Sequence, residues 1–92
     1  MPPQSRFFAP LRMTLTLHIL SPEGTLLEAD VELVTLPGLL SPFTVLPGHA
    51  AIVTALEKGT VRYVEAGKET FLPIEGGFAE VKDNTVTVCV EV

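Results

Sequence analysis

The chain has 92 residues, 47% of them hydrophobic, and its 11 acidic against 6 basic side chains give a formal charge of −5. A chain of this length suits one domain that buries roughly 60–65% of its extended surface on folding, which supports one modest core and argues against a large cleft. The acidic balance offers no basic face for a phosphate backbone and so argues against nucleic-acid binding, and Cys89, the only cysteine, excludes an intrachain disulfide and a cysteine-rich zinc site.

The chain opens with "MPPQSRFFAPLR", in which three prolines and two arginines interrupt any apolar run. That pattern is neither a secretory signal nor a strand, so residues 1–12 are expected to form a disordered tail. Met13 opens the first patterned segment and is a candidate for the true start, with residues 1–12 then not native. From there the signal is β. In "TLTLHIL", Leu15, Leu17 and Ile19 alternate with Thr14, Thr16 and His18, a period of two that lays one face on a core. "SPEG" follows as a turn, Pro22 fixing φ and Gly24 free to take a positive φ. "TLLEADVELVTL" repeats the alternation, with Ala29, Val31, Leu33 and Thr35 on one face and Asp30, Glu32, Val34 and Leu36 on the wetter one; it reads as a second strand, broken near Ala29.

"PGLLSPF" is a loop with unusual apolar content, and "FTVLPGHAAIVTAL" sets the tight turn Pro47-Gly48 and the ionisable His49 between two strand-like runs. "TVRYVEAGKETFLPI" reads as a hairpin turning at Gly67-Lys68. "GGFAEVKDNTVTVCVEV" reads as another, turning at Asp83-Asn84, with Val86, Val88, Val90 and Val92 on one face. No segment keeps an apolar 3.6 period over ten residues, and no apolar run approaches the ~20 residues that span a bilayer. Short strands punctuated by turns predict an all-β fold, an antiparallel β-sandwich or flattened barrel.

Chemistry is sparse. His18 and His49 lie far apart, and neither has a carboxylate or thiol at a metal-ligand spacing. Gly67-Lys68-Glu69-Thr70 lacks the upstream glycine of a phosphate loop, since Arg62 stands there. Ser21 and Ser41 sit in proline turns without a nucleophile elbow. Glu28, Asp30 and Glu32 fall at period two, as paired catalytic carboxylates can, but a strand half-buried in a sandwich keeps charges on its wet side, and they read as solvated surface. Gly76-Gly77 reads as a bend between strands rather than a site of ligand approach. Cys89 reads as a buried structural thiol.

"VLPGHAAIVTALEKGTVRY", preceded by "MTLTLHILSPEGTLLEADVELVTLPG" and followed by "IEGGFAEVKDNTVTV", resembles the N-terminal domain of the epsilon subunit of the bacterial F-type ATP synthase. The resemblance covers Met13 to about Val92. Its most particular parts are Pro47-Gly48-His49-Ala50, Thr54-Ala55-Leu56, the Lys58-Gly59-x-Val61-Arg62 step and Gly76-Gly77-Phe78-Ala79-Glu80-Val81, in that order. It implies a β-sandwich of about ten strands and a non-catalytic subunit of the central stalk without a cofactor, coupling rotation of the membrane-embedded c-ring to the gamma subunit in a proton-translocating synthase. It places Ser21, His49 and Thr54 on the gamma-facing side, and the loop Leu39, Leu40, Ser41 and Pro42 at the tip that meets the ring. The implied location is peripheral, on the cytoplasmic face of the bacterial plasma membrane, with membrane contact only through the ring.

Two departures from the family pattern bear on this. Epsilon subunits usually continue into a C-terminal helical hairpin that restrains ATP hydrolysis, whereas this sequence stops at Val92, so that brake and its nucleotide site are expected to be absent. The family also places glycines and an acidic residue in the ring-facing loop, where this chain has Leu39 and Leu40, so an apolar contact replaces a charged one. Two other classes stay open on the residues alone. One is a generic β-sandwich adaptor, marked by failure to bind gamma; the other is a small enzyme using His49 with a nearby carboxylate.

Overall fold

A computed structural model describes residues 14–91. The expectations for residues 1–12, Met13 and Val92 lie outside that range. Nine strands follow in chain order: β1 (Leu15–Ser21), β2 (Gly24–Val31), β3 (Leu33–Leu36), β4 (Phe43–Val45), β5 (Ile52–Leu56), β6 (Gly59–Glu65), β7 (Lys68–Ile74), β8 (Gly76–Lys82) and β9 (Thr85–Glu91). They form two sheets, one of five strands in the order β2-β1-β9-β8-β5 and one of four in the order β4-β3-β6-β7. The result is the expected β-sandwich.

Alternation builds the core. Leu15, Leu17 and Ile19 of β1, Ala79 and Val81 of β8, and Val86, Val88 and Val90 of β9 project inward from the larger sheet. Val34, Leu36, Val45, Val61, Tyr63 and Ile74 meet them from the smaller one. Branched aliphatic side chains suit this arrangement because their restricted χ1 fits a pleated surface at little entropic cost. Among the described residues no polar or charged side chain is fully buried, so the side-chain interior is apolar and the backbone ladders of the two sheets supply its hydrogen bonds.

Four expectations are corrected in detail. The long second segment breaks at Glu32 rather than near Ala29, because β2 belongs to the larger sheet and β3 to the smaller. The crossover shifts the alternation by one residue, so Val31 points inward on one side of the break and Val34 and Leu36 on the other, not outward with Asp30 and Glu32. The hairpin between β6 and β7 turns at Ala66-Gly67, one residue earlier than expected, with φ of 52° and 78°; a two-residue turn with both φ positive matches the strand twist. Not every neighbouring pair is antiparallel, since β1 runs parallel to β9, with Leu17 opposite Val86 and Ile19 opposite Val88. The turn at Asp83-Asn84 falls where expected, its residues at φ 52° and 59°.

Strand directions divide the loops between two rims. At one lie the Pro22-Glu23 turn, residues 37–42, Glu57-Lys58 and Glu75; at the other lie Glu32, residues 46–51, Ala66-Gly67 and Asp83-Asn84.

Candidate functional site, the outer face of the five-stranded sheet

Directly paired residues on neighbouring strands point to the same side of a sheet, so the register assigns the outer face row by row. Near the Ser21 rim one row runs from Leu20 on β1 to Cys89 on β9, Phe78 on β8 and Ala55 on β5. Phe78 is 53% exposed and Val53, also outward on β5, is 70% exposed. Both side chains therefore leave large apolar surface in water. A shallow groove of about 380 Å³ opens here, lined by Leu20, Ser21, Pro22, Gly77, Phe78 and Cys89 among others. Gly77 gives the groove its floor: its φ is +145°, and a Cβ there would collide with the Cys89 carbonyl oxygen. The backbones of β8 and β9 approach closely only because this position is glycine.

One residue pair toward the opposite rim, the next outward row is polar. It runs from Glu28 on β2 through His18 on β1 and Thr87 on β9 to Glu80 on β8, with Val53 at its end. The His18 Nδ1 lies 3.4 Å from a Glu28 carboxylate oxygen, a pairing that gains charge only when the ring is protonated. No spacing in the sequence announces this contact, because it arises from strand register.

The sequence-derived residues occupy this sheet without forming one cluster. Ser21 ends β1 and borders the groove, its Oγ accepting from the Glu23 amide at 3.3 Å. His49 lies at the other rim in a built loop: its amide donates to the Leu46 carbonyl at 3.0 Å, and the Gly48 amide donates to Asn84 Oδ1 at 2.7 Å. The His49 ring donates from Nδ1 to the Ala50 carbonyl at 2.8 Å. A carbonyl can only accept, so this contact leaves Nε2 of the neutral ring as an acceptor. Thr54 pairs with the fully buried Ala79, so its row faces inward, and Val53 and Ala55 present β5 to the outside. Ser21 and His49 thus mark opposite ends of one extended face rather than a catalytic constellation. No group of three or more potential metal ligands converges among the described residues.

The loop after β3 leaves the sandwich. Pro37 and Gly38 are buried against the end of β5, where the Leu39 amide donates to the Ala55 carbonyl at 3.1 Å and the Glu57 amide donates to the Pro37 carbonyl at 2.9 Å. Pinned on both sides, the loop projects Leu39 at 59% and Leu40 at 99% exposure, followed by exposed Ser41 and Pro42. Two leucines held in water at a fixed tip have no packing role inside the fold.

Sequence reasoning missed Leu20, Phe78 and Cys89 as a group, and read Cys89 as a buried thiol where the structure has it partly exposed on the groove, because its strand turns that face outward. The alternation around buried Ala79 and Val81 places Phe78 on the wet side, and a large aromatic there was the available signal.

Residues 14–92 match the family model described as ATP synthase, Delta/Epsilon chain, beta-sandwich domain. The ATP synthase epsilon chain of Desulfitobacterium hafniense is 43% identical over 75 residues, covering 82% of this chain and 57% of that protein. The epsilon chain of a Cyanothece species is 46% identical over 80 residues, covering 85% of this chain and 56% of the relative. A chain in the Euglena gracilis mitochondrial ATP synthase, solved as OSCP/F1/c-ring, superposes with a TM-score of 0.80 at 27% identity, over 85% of this chain and 51% of that one. The chain spans somewhat over half the length of the curated relatives it matches.

Proposed function

The chain belongs to the family of ATP synthase delta/epsilon-chain β-sandwich domains, and from that premise we propose that it serves as a non-catalytic rotor subunit in the central stalk of a proton-translocating F-type ATP synthase. In this role it couples rotation of the c-ring to the gamma subunit and sits peripherally at the cytoplasmic face of the bacterial plasma membrane, touching the membrane only through the ring. The observation that carries the proposal is the form of the larger sheet. Its outer side is an open face with large apolar side chains exposed, and the described interior holds no buried polar group that could act on a substrate. A part that passes torque between two neighbours needs stiffness and extended contact, and stable interfaces of that kind bury on the order of 1,600 Å² in total.

In this reading the gamma subunit lies along the five-stranded sheet from Ser21 at one rim to His49 at the other, near the half-buried Thr54. The tip Leu39, Leu40, Ser41 and Pro42 meets the ring. The test is a pull-down of the chain with gamma and with detergent-solubilised c-ring from the same source. Binding to gamma that His49→Glu, at the rim, and Val53→Arg, on the exposed side of β5, both abolish supports the stalk role and the docking side together. A folded chain that captures neither partner overturns the proposal in favour of a generic adaptor.

A further inference from the structure

Two adjacent rows on the outer face of the larger sheet differ in chemistry. The row at the Ser21 rim is apolar, comprising Leu20, Cys89, Phe78 and Ala55 around the groove, with the exposed Glu91 at the groove's outer edge. The neighbouring row carries Glu28, His18, Thr87 and Glu80. Rows two residues apart along a strand are separated by about 7 Å. Among the described residues Glu28 is engaged only by His18, and Glu80 enters no ion pair or side-chain hydrogen bond. The outer face of the smaller sheet is different. There Arg62 bonds to Glu69 and to Thr35, and Thr35 bonds to Thr44, so these four groups are already partnered.

We infer that the banded face is the specificity element for the gamma contact, recognising a segment in which a large apolar side chain fills the groove beside Phe78 while a lysine or arginine about 7 Å away meets Glu80. The inference rests on the stalk reading above and adds the chemistry of the partner segment to it. Charge complementarity selects this occupant. An unpaired carboxylate beside an apolar groove disfavours an acidic or wholly apolar partner, because docking either would desolvate Glu80 without compensation. A second copy of this chain, with a net charge of −5, would bring like charge to the same row.

The experiment measures the affinity of the full chain for gamma-containing F1 lacking this subunit, at low and at moderate salt. Phe78→Ser should weaken binding at least about tenfold at both salt concentrations, because it removes the apolar anchor. Glu80→Lys should weaken binding most at low salt and flatten the salt dependence, because the attraction becomes repulsion that salt screens. Phe71→Ser, on the outer face of the smaller sheet, should leave affinity unchanged, and thermal melts of all three variants verify that they fold. Wild-type binding that both Phe78→Ser and Glu80→Lys retain would overturn the banded contact while leaving the stalk role intact. No wild-type binding would defeat the stalk role itself. Sedimentation showing a wild-type dimer that Phe78→Ser dissociates would replace gamma by a second copy as the occupant.

Discussion

At Gly77 a methyl group would run into the Cys89 carbonyl oxygen, whereas at Gly24, with φ of +136°, nothing lies within 4 Å of where a Cβ would stand. The two glycines separate two costs that are usually mixed. Gly24→Ala meets only the backbone penalty of a positive φ, about 1 kcal/mol, while Gly77→Ala adds a backbone collision and should cost about 2–4 kcal/mol. Urea denaturation of the two variants measures the difference, and equal midpoints would refute the close approach of β8 and β9. Asn84 offers a second case. Its side chain caps the Gly48 amide at 2.7 Å while its own backbone sits at φ 59°. Asn84→Ala gives up both a hydrogen bond and a residue suited to that conformation, a loss of about 1–2 kcal/mol. Amide exchange at Gly48 and His49 should accelerate in that variant more than exchange in β9, because the bond that ties their loop to the β8–β9 turn is gone.

Among the elements, the β6–β7 hairpin turns on Ala66-Gly67 where a type I′ turn favours asparagine at the first position. Ala66→Asn should therefore stabilise the domain by about 0.5–1 kcal/mol in thermal or urea unfolding without altering the register of Glu65 opposite Lys68. The Asp83-Asn84 turn was legible in the sequence because its chemistry is local, as was each strand with a clean period of two, whereas the β6–β7 turn was read one residue late because Ala66 is not a usual turn former. The break at Glu32 was less so: an alternating pattern shows that a face is buried but not which sheet buries it, and a one-residue shift at a crossover reverses every later assignment. The pairing of β1 with β9 had no local signal at all, and the candidate site inherits that limit. Ser21, His49 and Leu39-Leu40 came from the order of motifs, whereas Leu20, Cys89 and Phe78 become one surface only when β1 is set beside the β8–β9 hairpin far along the chain. The contact of His18 with Glu28 was hidden for another reason: the two lie on consecutive strands, but a register irregularity between Ile19 and Leu20 sets which residues face each other.

For the molecule as a whole, the tip at Leu39 and Leu40 stands clear of the core it is anchored to, so Leu39→Asp with Leu40→Asp should weaken assembly with the c-ring while the melting temperature stays within a few degrees of wild type. Normal ring assembly of the double variant would remove this loop from the proposed ring contact. The larger sheet carries a different consequence, one of timing. Its middle strand, β9, joins β1 across about seventy residues of intervening chain, and it also completes the pairing of β8. During synthesis the hairpin of β1 with β2 can form early, but the position beside β1 stays open until β9 has left the ribosome. Until then β1 exposes an unpaired edge and half of the core has no lid, so a nascent chain of this domain depends on prompt completion or on a chaperone that covers that edge.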